Sequence, residues 1–216
     1  MILEFDGIQF KYTEEYLLTG IYMKAETNKI TGLLGRNGSG KSTLLRIAFG
    51  SLPSDVISVR IDGTFIHPPA FSNRKISYLP QDSFLPSYLT VREVLKLYKI
   101  HPDRFVRDFP EIPDNLNKKK FEMSGGTVRL LENLLILFSP AHFCFFDEPF
   151  TGLSPVMTER LVACMHEEKK KKGLIVTDHL YKQVIAIADD LYLLLNGKTY
   201  VIKDPDDLIR RGYILG

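Results

Sequence analysis

The stretch "GRNGSGKST", Gly35 to Thr43, constrains this chain more than any other. A glycine, four further residues, then Gly-Lys-Ser places Gly35, Gly40, Lys41 and Ser42 at the fixed positions of a phosphate-binding loop. Glycines let successive backbone N–H groups curl around an anion. A helix that begins at the lysine aims the positive end of its dipole at the same point. The flanks agree: "KITGLLG" (29–35) reads as a short apolar strand, and "KSTLLRIAFG" (41–50) as a helix stopped by Gly50 and followed by Pro53. Chance supplies the bare pattern to a chain of this length about once in a hundred. Asn37, Gly38, Ser39 and Thr43 line the loop beside the fixed glycines. Lys41 is placed to reach the terminal phosphates, and the Ser42 hydroxyl to ligate Mg²⁺.

Composition narrows the rest. A chain of 216 residues makes one ordinary domain, or one with a small lobe. Hydrophobic residues at 44% and charged residues at 25% belong to the soluble globular class. A net charge of +2 offers no basic field, so nucleic acid is not an expected partner. The runs "NKKK" (117–120) and "EEKKKKG" (167–173) read as solvated helix ends. Two cysteines make no disulfide framework and no zinc spacing, which fits a reducing compartment; Cys144, in an apolar run, reads as a small buried hydrophobe. The start "MILEFDG" carries no signal-peptide pattern. The longest apolar runs are broken by Glu132 and Asn133 or end at Asp147, short of the roughly 18 residues that span a bilayer. Any membrane crossing is expected of another chain.

The pattern along the chain is α/β. "LEFDGIQFKY" reads as a strand with a turn at Asp6-Gly7, "VISVRIDG" (56–63) as strand and turn, and "KISYLPQ" (75–81) as a strand. From residue 82 to about 139 the character is helical, with Thr90 and Ser124 as N-caps. Strand and helix alternation resumes at "AHFCFFDE" (141–148), with a helix over 155–172, a strand at "GLIVTDH" (173–179) and a helix at "LYKQVIAIADD". A hairpin over 191–202 with an Asn196-Gly197 turn and a last helix at "PDDLIRRG" follow. Buried strands alternating with helices imply a mostly parallel sheet covered on both faces.

"FCFFDEP" puts Asp147 and Glu148 at the end of a buried strand, where open α/β sheets bind ligands. Beside a phosphate loop the two carboxylates divide the work. Asp147 suits the Mg²⁺ shell, and Glu148 suits the polarisation of a water for in-line attack. His179 in "VTDH" ends another strand, whereas His67, His101, His142 and His166 lack metal-ligand spacing and read as structural.

Taken in order, these segments resemble the ATP-binding cassette ATPases, the motor subunits of ABC transporters. The resemblance covers nearly the whole chain. "GRNGSGKST" resembles the family's Walker A loop, "FCFFDEP" its Walker B strand with the catalytic glutamate, and "MSGGT" (123–127) its signature. Gln81 in "YLPQD" resembles the Q-loop glutamine, a Mg²⁺ ligand. "TGLS" (151–154) falls where the D-loop belongs, and His179 resembles the switch histidine on the γ-phosphate. Tyr12 fits the aromatic that stacks on adenine, with Phe10 and Tyr16 as rivals. The wording around Walker B and His179 is similar to that of lipopolysaccharide-export and branched-chain amino-acid cassettes.

The resemblance implies a phosphate-loop NTPase-like core (1–81 and 140–216), including an N-terminal antiparallel β subdomain, with a helical subdomain inserted over about 82–139, all in one ATPase domain. It implies ATP and Mg²⁺ as cofactors, a transmembrane permease as partner, and a second identical or paralogous cassette. Each ATP then lies on one subunit's Walker A loop and under Ser124, Gly125 and Gly126 of the other, with Glu148, His179 and Lys41 catalytic. The implied location is cytoplasmic, peripheral on the inner face of the cell membrane. The region after Gln81, with Phe84 and Leu85, either receives the permease or packs the lobe. Departures are Met123, Thr127 in place of glutamine, Ser154 in place of aspartate, and "TVRLLENLL" in place of the usual Gln-Arg run. A soluble ABC-type ATPase acting in regulation or on nucleic acid is the alternative; no coiled-coil heptads accompany this head.

Overall fold

The computed structural model describes residues 1–54, 56–66 and 74–214, so His67 lies outside the described residues. Its strands, in chain order, are β1 (Ile2–Lys11), β2 (Tyr16–Glu26), β3 (Ile30–Leu34), β4 (Val56–Ile61), β5 (Thr64–Phe65), β6 (Ile76–Leu79), β7 (Phe143–Asp147), β8 (Gly173–Thr177), β9 (Asp190–Leu195) and β10 (Lys198–Ile202). The helices are α1 (Lys41–Phe49), α2 (Val91–Leu97), α3 (Gly125–Leu137), α4 (Pro155–Glu168), α5 (Tyr181–Ile187) and α6 (Pro205–Arg210). One sheet runs in the order β5-β4-β1-β2-β10-β9-β3-β8-β7-β6.

β3, β7 and β8 are buried at every position, because both faces of these parallel strands are covered. The pleat then sorts their side chains between two cores. Phe143, Phe145 and Ile175 face α1 and the N-terminal strands, while Cys144, Phe146, Leu174 and Val176 face α3, α4 and α5. Each such large side chain contributes about 1.5–3 kcal/mol by leaving water.

β1, β2, β4 and β5 form an antiparallel section at one side of the sheet. β2 was not expected from the sequence, although Ile21, Met23 and Ala25 alternate inward as a half-buried strand requires. The expected turn at Asp6-Gly7 is instead a bulge inside β1: the register shifts between Asp6 and Ile8, and Gly7 takes φ 64°. This section joins the parallel part through a narrow seam. β10 pairs with β2 at Lys198 and Gly20, the carbonyl of Gly197, in the hairpin turn, accepts the N–H groups of Thr19 and Gly20, and the Thr199 hydroxyl bridges the N–H and C=O of Tyr22.

Between β6 and β7 lie α2, three short 3₁₀ turns and α3. Helix α3 is buried from Thr127 to Leu137, polar residues included. The lysine run after α4 departs from the solvated reading. Lys172 is buried and donates to the carbonyls of Leu137 and Ser139 at 2.7 Å each, closing the C-terminal end of α3. Phe84 is half-buried and Leu85 buried against the same core, so both side chains pack the lobe.

Candidate active site

The C-terminal ends of β3, β8, β7 and β6 sit side by side, and the chemistry-bearing residues follow them. The phosphate loop leaves β3 and enters α1. Gly40 holds φ 101°, a left-handed value open to glycine, and caps α1 with no side-chain hydrogen bond. No acidic residue stands within the helix's own first turn to cap its N–H groups. A Cβ on Gly35 would come within 2.6 Å of Ser39 Oγ, and that buried hydroxyl has no hydrogen-bond partner among the described residues. Lys41 is buried and folds back, donating from Nζ to the carbonyls of Gly35 (2.9 Å) and Arg36 (3.2 Å). Burial also holds its amine below the ordinary lysine range.

Below the loop, Ser42 Oγ donates to Asp147 Oδ1 at 3.0 Å, and the Tyr78 hydroxyl donates to Asp147 Oδ2 at 2.9 Å. Burial raises the Asp147 carboxyl above its usual value, against the opposing pull of those two hydrogen bonds. Burial pushes the Tyr78 phenol up as well, so it stays a donor. A hydroxyl and a carboxylate converging beside a phosphate cradle form the hard oxygen set that Mg²⁺ prefers.

Glu148 follows at φ 53°, a left-handed backbone that costs a side-chain-bearing residue about 1–2 kcal/mol. Its N–H donates to the Thr177 carbonyl at 2.8 Å, and Thr151 Oγ1 donates to its Oε2 at 3.3 Å. His179 Nδ1 lies 3.6 Å from Glu148 Oε2 and 3.3 Å from Asp178 Oδ1. Asp178 is buried at the end of β8 and accepts the N–H groups of Phe150 (3.2 Å) and Leu180 (2.9 Å).

The fold therefore brings Lys41, Ser42, Asp147, Glu148 and His179 together. Tyr12 stands exposed at the same rim, with its hydroxyl 3.4 Å from Thr43 Oγ1 and its ring edge-on to Phe10 at 4.7 Å. Tyr16 lines an opening beside Asn37 and Gly38. Gln81 is exposed two residues past β6, lining a cleft with Met123, Gly125 and Arg129.

The signature residues sit apart. Ser124 caps α3, accepting Thr127 N–H at 3.1 Å, with the Thr127 hydroxyl 2.8 Å away. A Cβ on Gly126 would meet the Gly152 carbonyl at 2.8 Å, so the signature packs on the 151–154 turn. Among the described residues no hydrogen bond links Ser124, Gly125 or Gly126 to the phosphate loop. Ser154 caps α4 through Met157 N–H at 3.3 Å, which an aspartate would do equally.

Sequence reading missed Tyr78, Arg129, Glu132 and Asp178. Arg129 and Glu132 did carry a signal, as opposite charges three residues apart in an otherwise apolar helix.

Comparison with known proteins decides the family. The sequence model described as "ABC transporter" matches residues 18–151, more than half of the chain. The chain belongs to the ABC transporter family. It is an ATP-binding ATPase of that family. The lipopolysaccharide export system ATP-binding protein LptB of Haemophilus influenzae is 28% identical, over 99% of this chain and 97% of its own length. The ABC transporter A family member 11 of Dictyostelium discoideum is 30% identical over 88% of this chain, which spans only 24% of that longer relative. A solved structure titled as the ATP-binding subunit of an ABC transporter superposes with a TM-score of 0.81 at 24% identity, covering 100% of this chain and 95% of its own, and so shares the ABC fold.

Proposed function

We propose that this ATPase is the cytoplasmic motor of a transporter, peripheral on the inner face of the cell membrane and working on a separate transmembrane permease. The observation that carries the reading is the Ser42–Asp147–Tyr78 chain of hydrogen bonds beneath a folded-back Lys41, with Glu148 and His179 beside it. The names of its relatives, including an export-system ATP-binding protein, support the transport role. Among the described residues no helix is long and apolar enough to cross a membrane. The reading takes the chain as one ATPase domain, with core 1–81 and 140–216 and a helical subdomain over about 82–139.

In this reading Gly35, Asn37, Gly38, Ser39, Gly40 and Thr43 cradle the phosphates, and Tyr12 supports the adenine. Lys41 exchanges its two carbonyl partners for phosphate oxygens. Ser42, Asp147 and Gln81 hold Mg²⁺, which when bound neutralises charge on the phosphates. Glu148 takes a proton from the attacking water. His179, with Nδ1 turned toward the acids, offers its other ring nitrogen to the γ-phosphate. Ser124, Gly125 and Gly126 close the site of a second cassette, so ATP stabilises the dimer by mass action.

Glu148→Gln with ATP and Mg²⁺ tests the reading. Light scattering should show an ATP-dependent dimer that persists because hydrolysis is blocked. A variant that stays monomeric, even with its partner cassette supplied, sinks the dimer model. Detergent extraction and pull-down of the tagged chain should bring down a polytopic membrane protein; recovery of nucleic acid instead favours the soluble alternative.

A further inference from the structure

The segment "TVRLLENLL" stands where the family's Gln-Arg run is expected, and nothing in the hydrolytic scheme uses it. Its two charges are buried, Arg129 at 8% exposure and Glu132 at 1%. The Arg129 guanidinium faces the ends of two adjacent parallel strands. Nη2 donates to the carbonyls of Asp147 (2.6 Å) and Glu148 (2.9 Å), just past the end of β7. Nη1 donates to the carbonyl of Pro80 at 2.8 Å, the residue before Gln81, and to Glu132 Oε2 at 3.5 Å. Glu132 Oε1 continues the chain, accepting the Ser83 hydroxyl and the N–H groups of Phe84 (3.0 Å) and Leu85 (3.4 Å). Arg129 Nε has no partner among the described residues.

We propose that Arg129 is the positioning residue for Glu148, and that Glu132 couples that position to the 81–85 loop. Glu148 sits in a left-handed backbone that persists only where its surroundings fix it, and Arg129 holds the two carbonyls that flank its Cα, that of Asp147 and its own. The planar fork presents Nη1 to one strand end and Nη2 to the other in a fixed geometry; a lysine brings one nitrogen on a flexible stem and cannot hold both ends in that geometry. Both charges ride on α3, the helix that Ser124 caps, five and eight residues along. A shift of the signature helix therefore moves the Glu148 carbonyl together with the Ser83 hydroxyl and the N–H groups of Phe84 and Leu85. The inference rests on the reading of Glu148 as the residue that takes the proton.

The test compares Arg129→Lys, Glu132→Gln and Glu148→Gln with the unaltered chain. Turnover and KM for ATP are measured alongside amide exchange of the nucleotide-free protein. Arg129→Lys should lower kcat tenfold or more while leaving KM for ATP within about twofold, and should speed exchange at Glu148, Phe84 and Leu85. Glu132→Gln keeps an oxygen acceptor but loses the charge. It should speed exchange at Phe84 and Leu85 and lower kcat less than Arg129→Lys. An Arg129→Lys protein with unchanged kcat and exchange overturns the proposal, as does one whose kcat and KM change in parallel. If Arg129→Lys fails to fold, Glu132→Gln decides: unchanged exchange at Phe84 and Leu85 overturns the proposal. Glu148→Gln separates the two readings. If it hydrolyses ATP like the unaltered chain, the reading of the site fails; if it is inactive while Arg129→Lys is normal, the positioning proposal alone fails.

Discussion

Two glycine-rich turns start helices in this molecule, and they end up in opposite states. The turn into α1 is capped by a left-handed Gly40 that offers no side chain, and its lysine bonds to its own loop's carbonyls. The turn into α3 is capped by Ser124, whose hydroxyl is engaged by the N–H and the hydroxyl of Thr127. The first leaves backbone donors open to an anion. The second is content as an ordinary helix start. In the proposed reading the first turn holds the phosphates on its own chain and the second closes the site of a second cassette. What separates them is whether the cap is supplied by the chain or left for a ligand.

The sharpest way to break the comparison is Lys41→Ala. A hydrogen bond to a charged group is worth about 1.5–3 kcal/mol, so ATP affinity by equilibrium titration should fall about tenfold to a hundredfold. An unchanged affinity shows that the α1 turn is not the anion site. Next comes Ser124→Ala. Binding of ATP to the monomer should stay within about twofold, while ATP-driven dimerisation is lost. Loss of the cap should cost about 1 kcal/mol, seen as a fall in Tm of about 2–4 °C. Monomer binding that falls as far as in Lys41→Ala places both turns in one site.

A pH experiment sharpens the contrast from the first turn's side. Burial holds Asp147 above the ordinary aspartate value of 3.8. A carboxyl raised in the fold binds its proton more tightly there than in the unfolded chain. Its favourable contribution is complete below 3.8 and is lost as pH rises through the folded value. Asp147→Asn should therefore raise the Tm of the Mg²⁺-free protein at pH 7, with the gap closing as pH falls toward 4. A gap independent of pH refutes the burial argument. The smallest effect belongs to Thr127→Val. Freeing the Ser124 hydroxyl should strengthen the ATP-driven dimer by about 0.5 kcal/mol, roughly twofold. Sedimentation at several ATP concentrations reads it, and a weaker dimer shows that Thr127 assists rather than competes.

The parallel core was legible because β3, β7 and β8 are apolar at nearly every position, and only strands buried on both faces read that way. β2 was missed although Ile21, Met23 and Ala25 alternate, because Thr19, Gly20 and Tyr22 break up the apolar run around them. Asp6-Gly7 carries a turn's residues but lies in a strand paired on both sides, with β2 and β4, so pairing turned it into a bulge rather than a turn. The phosphate loop, Asp147 and Glu148 announce themselves by spacing. Tyr78 does not, since its partner lies 69 residues away; Arg129 and Glu132 show as a charge pair, but the strand-end and loop groups they serve, 18 and 48 residues away, come near only in the packed fold.

The seam between β2 and β10 has a mechanical consequence. The Gly197 carbonyl that stitches the antiparallel section to the rest is itself in the hairpin turn, so one short connection closes β9 on β10 and anchors the N-terminal strands. Opening that turn should loosen the hydrogen-bonded junction of β2 and β10 first, while the N-terminal strands stay held to β7 and β8 through the shared core of Phe5, Phe143, Phe145 and Ile175.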